Sequence, residues 1–174
     1  MRYNMVASPK NVPPQQLQDL LTRSVALFRE RKGDWNAFAD SKTEGFRRAQ
    51  HRYIGAGASG KQDTTVIEPG SFTLSVMFLP IGQGNPPHTH EVEEAFFVLK
   101  GHVTFFFDDE NGNRVQSTLG PWDCISAPAN VIHGLVNDGL EDAWMQVMLG
   151  KGKPGLMTYE NQEFQKRRAE HLTP

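Results

Sequence analysis

Two histidines and a carboxylate, His88, His90 and Glu94, fall within the segment Gly82-Gln-Gly-Asn-Pro-Pro-His88-Thr-His90-Glu-Val-Glu-Glu94. Imidazole and carboxylate together suit a borderline divalent metal. Along an uninterrupted β-strand, side chains of equal parity share a face, so His88, His90 and Glu94 point the same way. Glu91 and Glu93 have the opposite parity and read as solvated surface charges. A second segment, Gly120 to Asn137, carries His133 on another strand. It follows the turn Pro128-Ala-Asn130, where asparagine accommodates a left-handed backbone. His133 is the natural fourth ligand.

Three neutral imidazoles and one carboxylate leave a divalent ion with residual positive charge and, in octahedral geometry, two open positions. There it polarises the oxygen of a chelating substrate or, as iron(II), activates dioxygen. Glu94 is the candidate catalytic residue, since no other unambiguous general base is expected inside the barrel. His102 and Gln146 read as surface or barrel-wall positions, and His51 and His171 as residues outside the site.

The elements that must hold these ligands are strands. Ser71–Leu79, Ala95–Lys100, Val103–Phe107, Asn113–Leu119 and Ala143–Leu149 are short, rich in β-branched or aromatic residues, and separated by turn residues, as in an all-β sandwich or barrel. Asn111-Gly112 between two such runs predicts a hairpin. Phe72, Phe96, Phe105, Trp122 and Trp144 are expected in the barrel core. Ahead of the strands, Leu17, Leu20, Leu21, Val25 and Phe28 recur at helical spacing until Gly33, predicting an amphipathic helix. Glu160 to His171 has acids first and bases later, the order that complements a helix dipole, and reads as a short surface helix.

The two ligand segments resemble the paired motifs of the cupin superfamily. Gly82, His88, His90, Glu94 and Gly101 match the first motif at every spacing, and Gly120, Pro128, His133 and Asn137 fit the second. The run between Gly120 and Pro128 is longer than usual, and Asn130 stands where the family has glycine; neither is a ligand position. The resemblance covers roughly residues 64 to 150. It implies an all-β double-stranded β-helix, a jelly-roll barrel of cupin type, with His88, His90, Glu94 and His133 as metal ligands. It also implies a range of activities, among them iron-dependent dioxygenases, isomerases, lyases and proteins that only bind. The leading expectation is an iron(II) dioxygenase acting on a small oxygenated aromatic or dicarbonyl compound. The alternatives are an isomerase, lyase or decarboxylase using the ion as Lewis acid, and a non-catalytic small-molecule-binding barrel. Zn, Mn, Ni and Cu suit the same ligands.

The 174 residues suffice for one domain with an arm. The expected division is an arm over 1–62, a barrel over 63–155 and a helical tail over 156–174. Residues 1–62 hold 11 basic against 5 acidic side chains, a net +6, and the rest hold 7 against 15, a net −8. That asymmetry fits an arm packing on its own barrel or on a partner subunit, with a homodimer or higher homo-oligomer expected. Arg47, Arg48 and Arg52 read as solvated or interfacial, with approach to an anionic substrate as the alternative. The arm lacks the further helices of a helix-turn-helix, so no nucleic-acid partner is expected. Asp19 and Glu30 interrupt its apolar face, which argues against a membrane surface. Met1 to Pro9 lacks the apolar core of a signal peptide, and the chain has no apolar run of membrane-spanning length. The single Cys124 excludes an internal disulfide framework and is expected to pack as a small apolar residue. A cytoplasmic location follows as the expectation.

Overall fold

A computed structural model describes residues 13–61 and 63–171, with side chains of the last helix described as far as Arg168. The Met1 to Pro9 segment and the side chain of His171 lie outside the described residues. Among the described residues, ten strands form two antiparallel five-stranded sheets that pack face to face as a jelly roll. The first sheet has the order β1 (Ala49–Ile54), β2 (Thr73–Leu79), β9 (Ala143–Leu149), β4 (Glu94–Lys100), β7 (Cys124–Ala127). The second runs β10 (Thr158–Tyr159), β3 (Gly84–Thr89), β8 (Ile132–Val136), β5 (Val103–Asp108), β6 (Arg114–Leu119).

Alternation explains which side chains meet between the sheets. Thr73, Ser75, Met77 and Leu79 of β2, Glu94, Phe96 and Val98 of β4, and Met145, Val147 and Leu149 of β9 are buried, and their intervening neighbours are more exposed. This is the two-residue period of a pleated strand with one covered face. The expected hairpin is present. Asp109 accepts hydrogen bonds from the Asn111 and Asn113 backbone amides, and Gly112 takes the positive φ of 82° that closes the turn between β5 and β6.

Several sequence expectations are corrected. The arm supplies β1, paired along β2, so the sandwich begins before residue 63. The N-terminal helix, α1 (Pro14–Arg23), stops ten residues before Gly33, where the Ser24 amide bonds back to Leu21. Beyond it Phe28 leaves helical phase to pack edge-on against Trp144, and Trp35 packs on Phe78, both on the outer face of the first sheet. Trp144 therefore belongs to that outer layer and not to the core. Phe72, just before β2, is 37% exposed, and Trp122, at a turn with φ of 75°, is 74% exposed. Phe96 and Phe105 are buried, 5.0 Å apart. Cys124 is an exposed free thiol on the edge strand β7 rather than a packed apolar residue. Arg48 and Arg52 are buried and paired, Arg48 with Asp40 and Arg52 with Asp34, whereas Arg47 is exposed. The last helix, α2 (Gln162–His171), is anchored by Phe164 against Phe46 and Tyr159.

Candidate metal centre

β3 and β8 are adjacent, and their register places His88 opposite His133. Glu94 arrives from the other sheet, as the first residue of β4, where it faces Leu149 and Ala127. β3 ends at Thr89, just before His90, and the chain bends at residues 91–92, so Glu94 does not share a strand with His88. Parity along one strand singles out Glu94 for a reason that does not hold. What brings Glu94 in is the chain's crossing from one sheet to the other. Glu91 and Glu93 remain outside: Glu91 binds Lys151 and the Gly155 amide, and Glu93 accepts from the Ser126 hydroxyl.

His88, His90, Glu94 and His133 are all buried, and one ligand atom from each lies within 4.8 Å of the others. The Oε2 atom of Glu94 is 3.0 Å from Nε2 of His133, 3.1 Å from Nε2 of His90 and 3.9 Å from Nε2 of His88. Backbone carbonyls orient two of the rings. Nδ1 of His88 donates to the Pro86 carbonyl and Nδ1 of His133 to the Val131 carbonyl, each at 2.8 Å. A carbonyl only accepts, so the proton of each neutral ring sits on Nδ1 and the Nε2 lone pair faces the cluster. Neither ring nitrogen of His90 makes a hydrogen bond of acceptable geometry among the described residues. Asn130, at φ 63°, ties the second motif to the first by donating its amide to the His90 carbonyl at 2.7 Å. Asn137 has a bracing part: its amide nitrogen donates to the Leu79 and Glu141 carbonyls and ties the strand ends together.

Electrostatics follow from this crowding. Burial pushes the His88 imidazole down to about 4, against the pull of Glu94, so it is neutral over the physiological range. Burial also lowers His133, but its hydrogen bond and charge contact with Glu94 outweigh that and raise it above the ordinary value. For Glu94 burial pushes upward, and the His90 charge with the histidine hydrogen bonds overcomes it, holding the carboxyl well below its usual range. The Nε2 lone pairs of neutral His88 and His133 and the Glu94 carboxylate oxygen point at one another and repel unless a cation or a proton lies among them. The donor set and its burial fit a divalent metal.

A small cavity adjoins His88 and Glu94. Arg48, Gln50 and Ser75 line it together with Met77, Phe96, Val147, Leu149 and Met157. Its volume is about 10 Å³, roughly the room one water needs. Arg48, Gln50 and Ser75 were not singled out as site residues by spacing; Gln50 and Arg48 sit in a polar stretch of the arm that alternation does not mark as a strand. His51 and the exposed His102 lie outside the cavity, and Gln146 is on the outer face of β9.

Comparisons with known proteins agree with this architecture. Residues 75–149 match the family model described as Cupin domain. The chain is 36% identical over 123 residues to germin-like protein 4-1 of Oryza sativa subsp. japonica, covering 64% of this chain and 48% of that protein. It thus spans about half the length of the curated relatives it matches. Among solved structures, the polyketide cyclase RemF from Streptomyces resistomycificus superposes with a TM-score of 0.60 at 17% identity, covering 82% of this chain and 89% of that one. Recombinant oxalate oxidase in complex with glycolate superposes with a TM-score of 0.53 at 20% identity, over 68% and 57%. Residues 75–149 thus match a cupin domain, and the two-sheet jelly roll is the fold of these solved neighbours.

Proposed function

We propose that this protein is a metal-dependent oxidoreductase, an iron(II) dioxygenase acting on a small oxygenated compound. The observation that carries the reading is the convergence of His88, His90, Glu94 and His133, all buried, with ligand atoms within 4.8 Å. An ion held there, iron(II) foremost with Zn, Mn, Ni or Cu as alternatives, would supply Lewis acidity and, as iron(II), dioxygen activation. The residues supply the rest. The Pro86 and Val131 carbonyls keep His88 and His133 aimed inward. Met77, Phe96, Val147, Leu149 and Met157 form an apolar wall that keeps bulk water from the reacting groups. Glu94 is the one acidic residue lining the cavity and so the group available to accept a substrate proton. A solved oxalate oxidase of the same fold holds glycolate, which supports a substrate of that size.

The reading includes self-association as a homodimer or higher homo-oligomer, supported by Leu17, Leu20 and Leu21 left exposed on α1. Among the described residues no helix is long and apolar enough to cross a membrane. Oxygen uptake by iron-loaded protein, measured over a panel of dicarbonyl and hydroxy acids, tests the proposal. Uptake with at least one class supports it. Metal-bound protein inert to the panel under oxygen, yet converting substrate anaerobically with zinc, assigns the Lewis-acid isomerase or lyase chemistry instead.

A further inference from the structure

One side of the sandwich is left open among the described residues. The first sheet ends in β7 and the second in β6, and residues 120–123 join these two edge strands directly, so both sheets stop on the same side. Strand register leads from the metal centre to that side. On the second sheet Tyr159, His88, His133, Phe107 and Val115 are successive cross-strand partners, and such partners share a face. That face is the inner one. His133 reaches Glu94 of the opposite sheet, whereas Arg114, of opposite parity to Val115, lies over the Phe106 ring on the outside. Tyr159, His88 and His133 are at most 3% exposed, Phe107 is half-buried and Val115 is 68% exposed. Along this row Phe107 alone separates the buried His133 from an exposed residue.

The first sheet repeats the gradient. Leu149, Glu94 and Ala127 are partners in turn and all buried, and Ile125, on the same face as Ala127, is half-buried. The opposite edge is closed, since Tyr159 of β10 packs on Phe164 of α2. Phe107, Val115, Ser117 and Ile125, which face inward along the open side, carry no charge. We propose that the gap between β6 and β7 is the mouth of the metal centre, and that the substrate carries an oxygen-bearing head at the metal and an apolar body lying against Phe107, Val115 and Ile125. This rests on the metal-centre reading above and names the substrate class of that same site. An apolar body gains by covering this wall, whereas a charged one would lose hydration there without finding a partner.

Alkyl hydroxamates hold a metal-binding head constant while the tail lengthens. Calorimetric titration of aceto-, butano- and hexanohydroxamate into zinc-loaded protein, with metal content measured before and after, reads the mouth without turnover. A methylene fully removed from water is worth about fourfold in affinity and one covered on a single side about twofold, so hexanohydroxamate is expected to bind at least about tenfold more tightly than acetohydroxamate. Val115→Asp, at an exposed position, is expected to bring that ratio close to one with metal content unchanged. A ratio near one in wild-type protein that retains its zinc, or no binding at all, overturns the mouth and leaves the metal centre standing, whether or not the variant folds. An unchanged ratio in folded Val115→Asp also overturns it, by placing the tail elsewhere. So does a smaller oligomer of Val115→Asp in sedimentation, which assigns this edge to a contact between copies. Wild-type protein that takes up no zinc overturns both readings.

Discussion

Two clusters of buried polar side chains lie within the same sandwich and solve opposite problems. Arg48 and Asp40 close on each other through two hydrogen bonds of 2.8 and 3.1 Å, and the guanidinium lies 4.2 Å over the Phe38 ring. That pair is complete within the chain except for one N–H. The histidine cluster is not. Three imidazoles crowd one carboxylate oxygen, two rings have their protons drawn away by backbone carbonyls, and the third meets Glu94 at 3.1 Å without a hydrogen bond of acceptable geometry among the described residues. Buried charge balanced by the chain holds a fold; buried lone pairs left facing one another describe a place for something else.

Substitutions separate the two clusters most sharply at the metal. His133→Ala and Glu94→Gln are each expected to lower metal affinity by more than about 100-fold, since even residues that only orient ligands change it about 10- to 100-fold. Circular dichroism of both variants is expected to remain that of a folded barrel, because the core rather than the ion supports the sheets. Retained affinity in either variant would erase the distinction drawn here.

Asp40→Ala should behave in the reverse way. It strands a buried guanidinium, so urea unfolding is expected to show a loss of about 3–5 kcal/mol, with the folded fraction binding metal as the wild type does. A variant of unchanged stability would mean that Arg48 finds solvent when Asp40 is gone.

Metal binding should weaken as pH falls, and the sign follows from which ring holds a proton. His133, raised above its ordinary value by Glu94, is protonated in the metal-free protein at slightly acidic pH, so the metal must displace that proton. His88, pushed down to about 4, competes only near that pH. Affinity is therefore expected to fall about tenfold per unit below the His133 titration, steepening near pH 4. A flat profile between pH 8 and 5 would contradict the role given to His133. The smallest effect is expected from Glu93→Gln: this exposed neighbour of Glu94 lies outside the cluster, and metal content should be unchanged on elemental analysis.

Much of this arrangement is legible in residue order. Strand alternation, the Asn111-Gly112 hairpin and the left-handed Asn130 are local properties, and local chemistry determines them. The histidine cluster is legible because His88 and His90 lie two residues apart and His133 falls in the second of two paired motifs. Glu94 shows where local reasoning stops: its strand lies in the opposite sheet, and the bend at residues 91–92 that sends it there leaves no periodic trace. Arg48, Gln50 and Arg52 were hidden for a related reason. Their inward faces are polar and are balanced by Asp40, Ser75 and Asp34 from elsewhere in the chain, so the segment lacks the apolar alternation that marks a strand. Trp122 and Phe72 mislead in the other direction, since aromatic character does not tell which side of a turn or strand end faces water.

Anomalous diffraction at the absorption edge of the bound metal tests the central claim most directly. The account predicts one peak about 2.0–2.2 Å from Nε2 of His88, His90 and His133 and from a carboxylate oxygen of Glu94. A fully metallated crystal whose anomalous peak lies elsewhere, with these four side chains bonded only to one another, would contradict it.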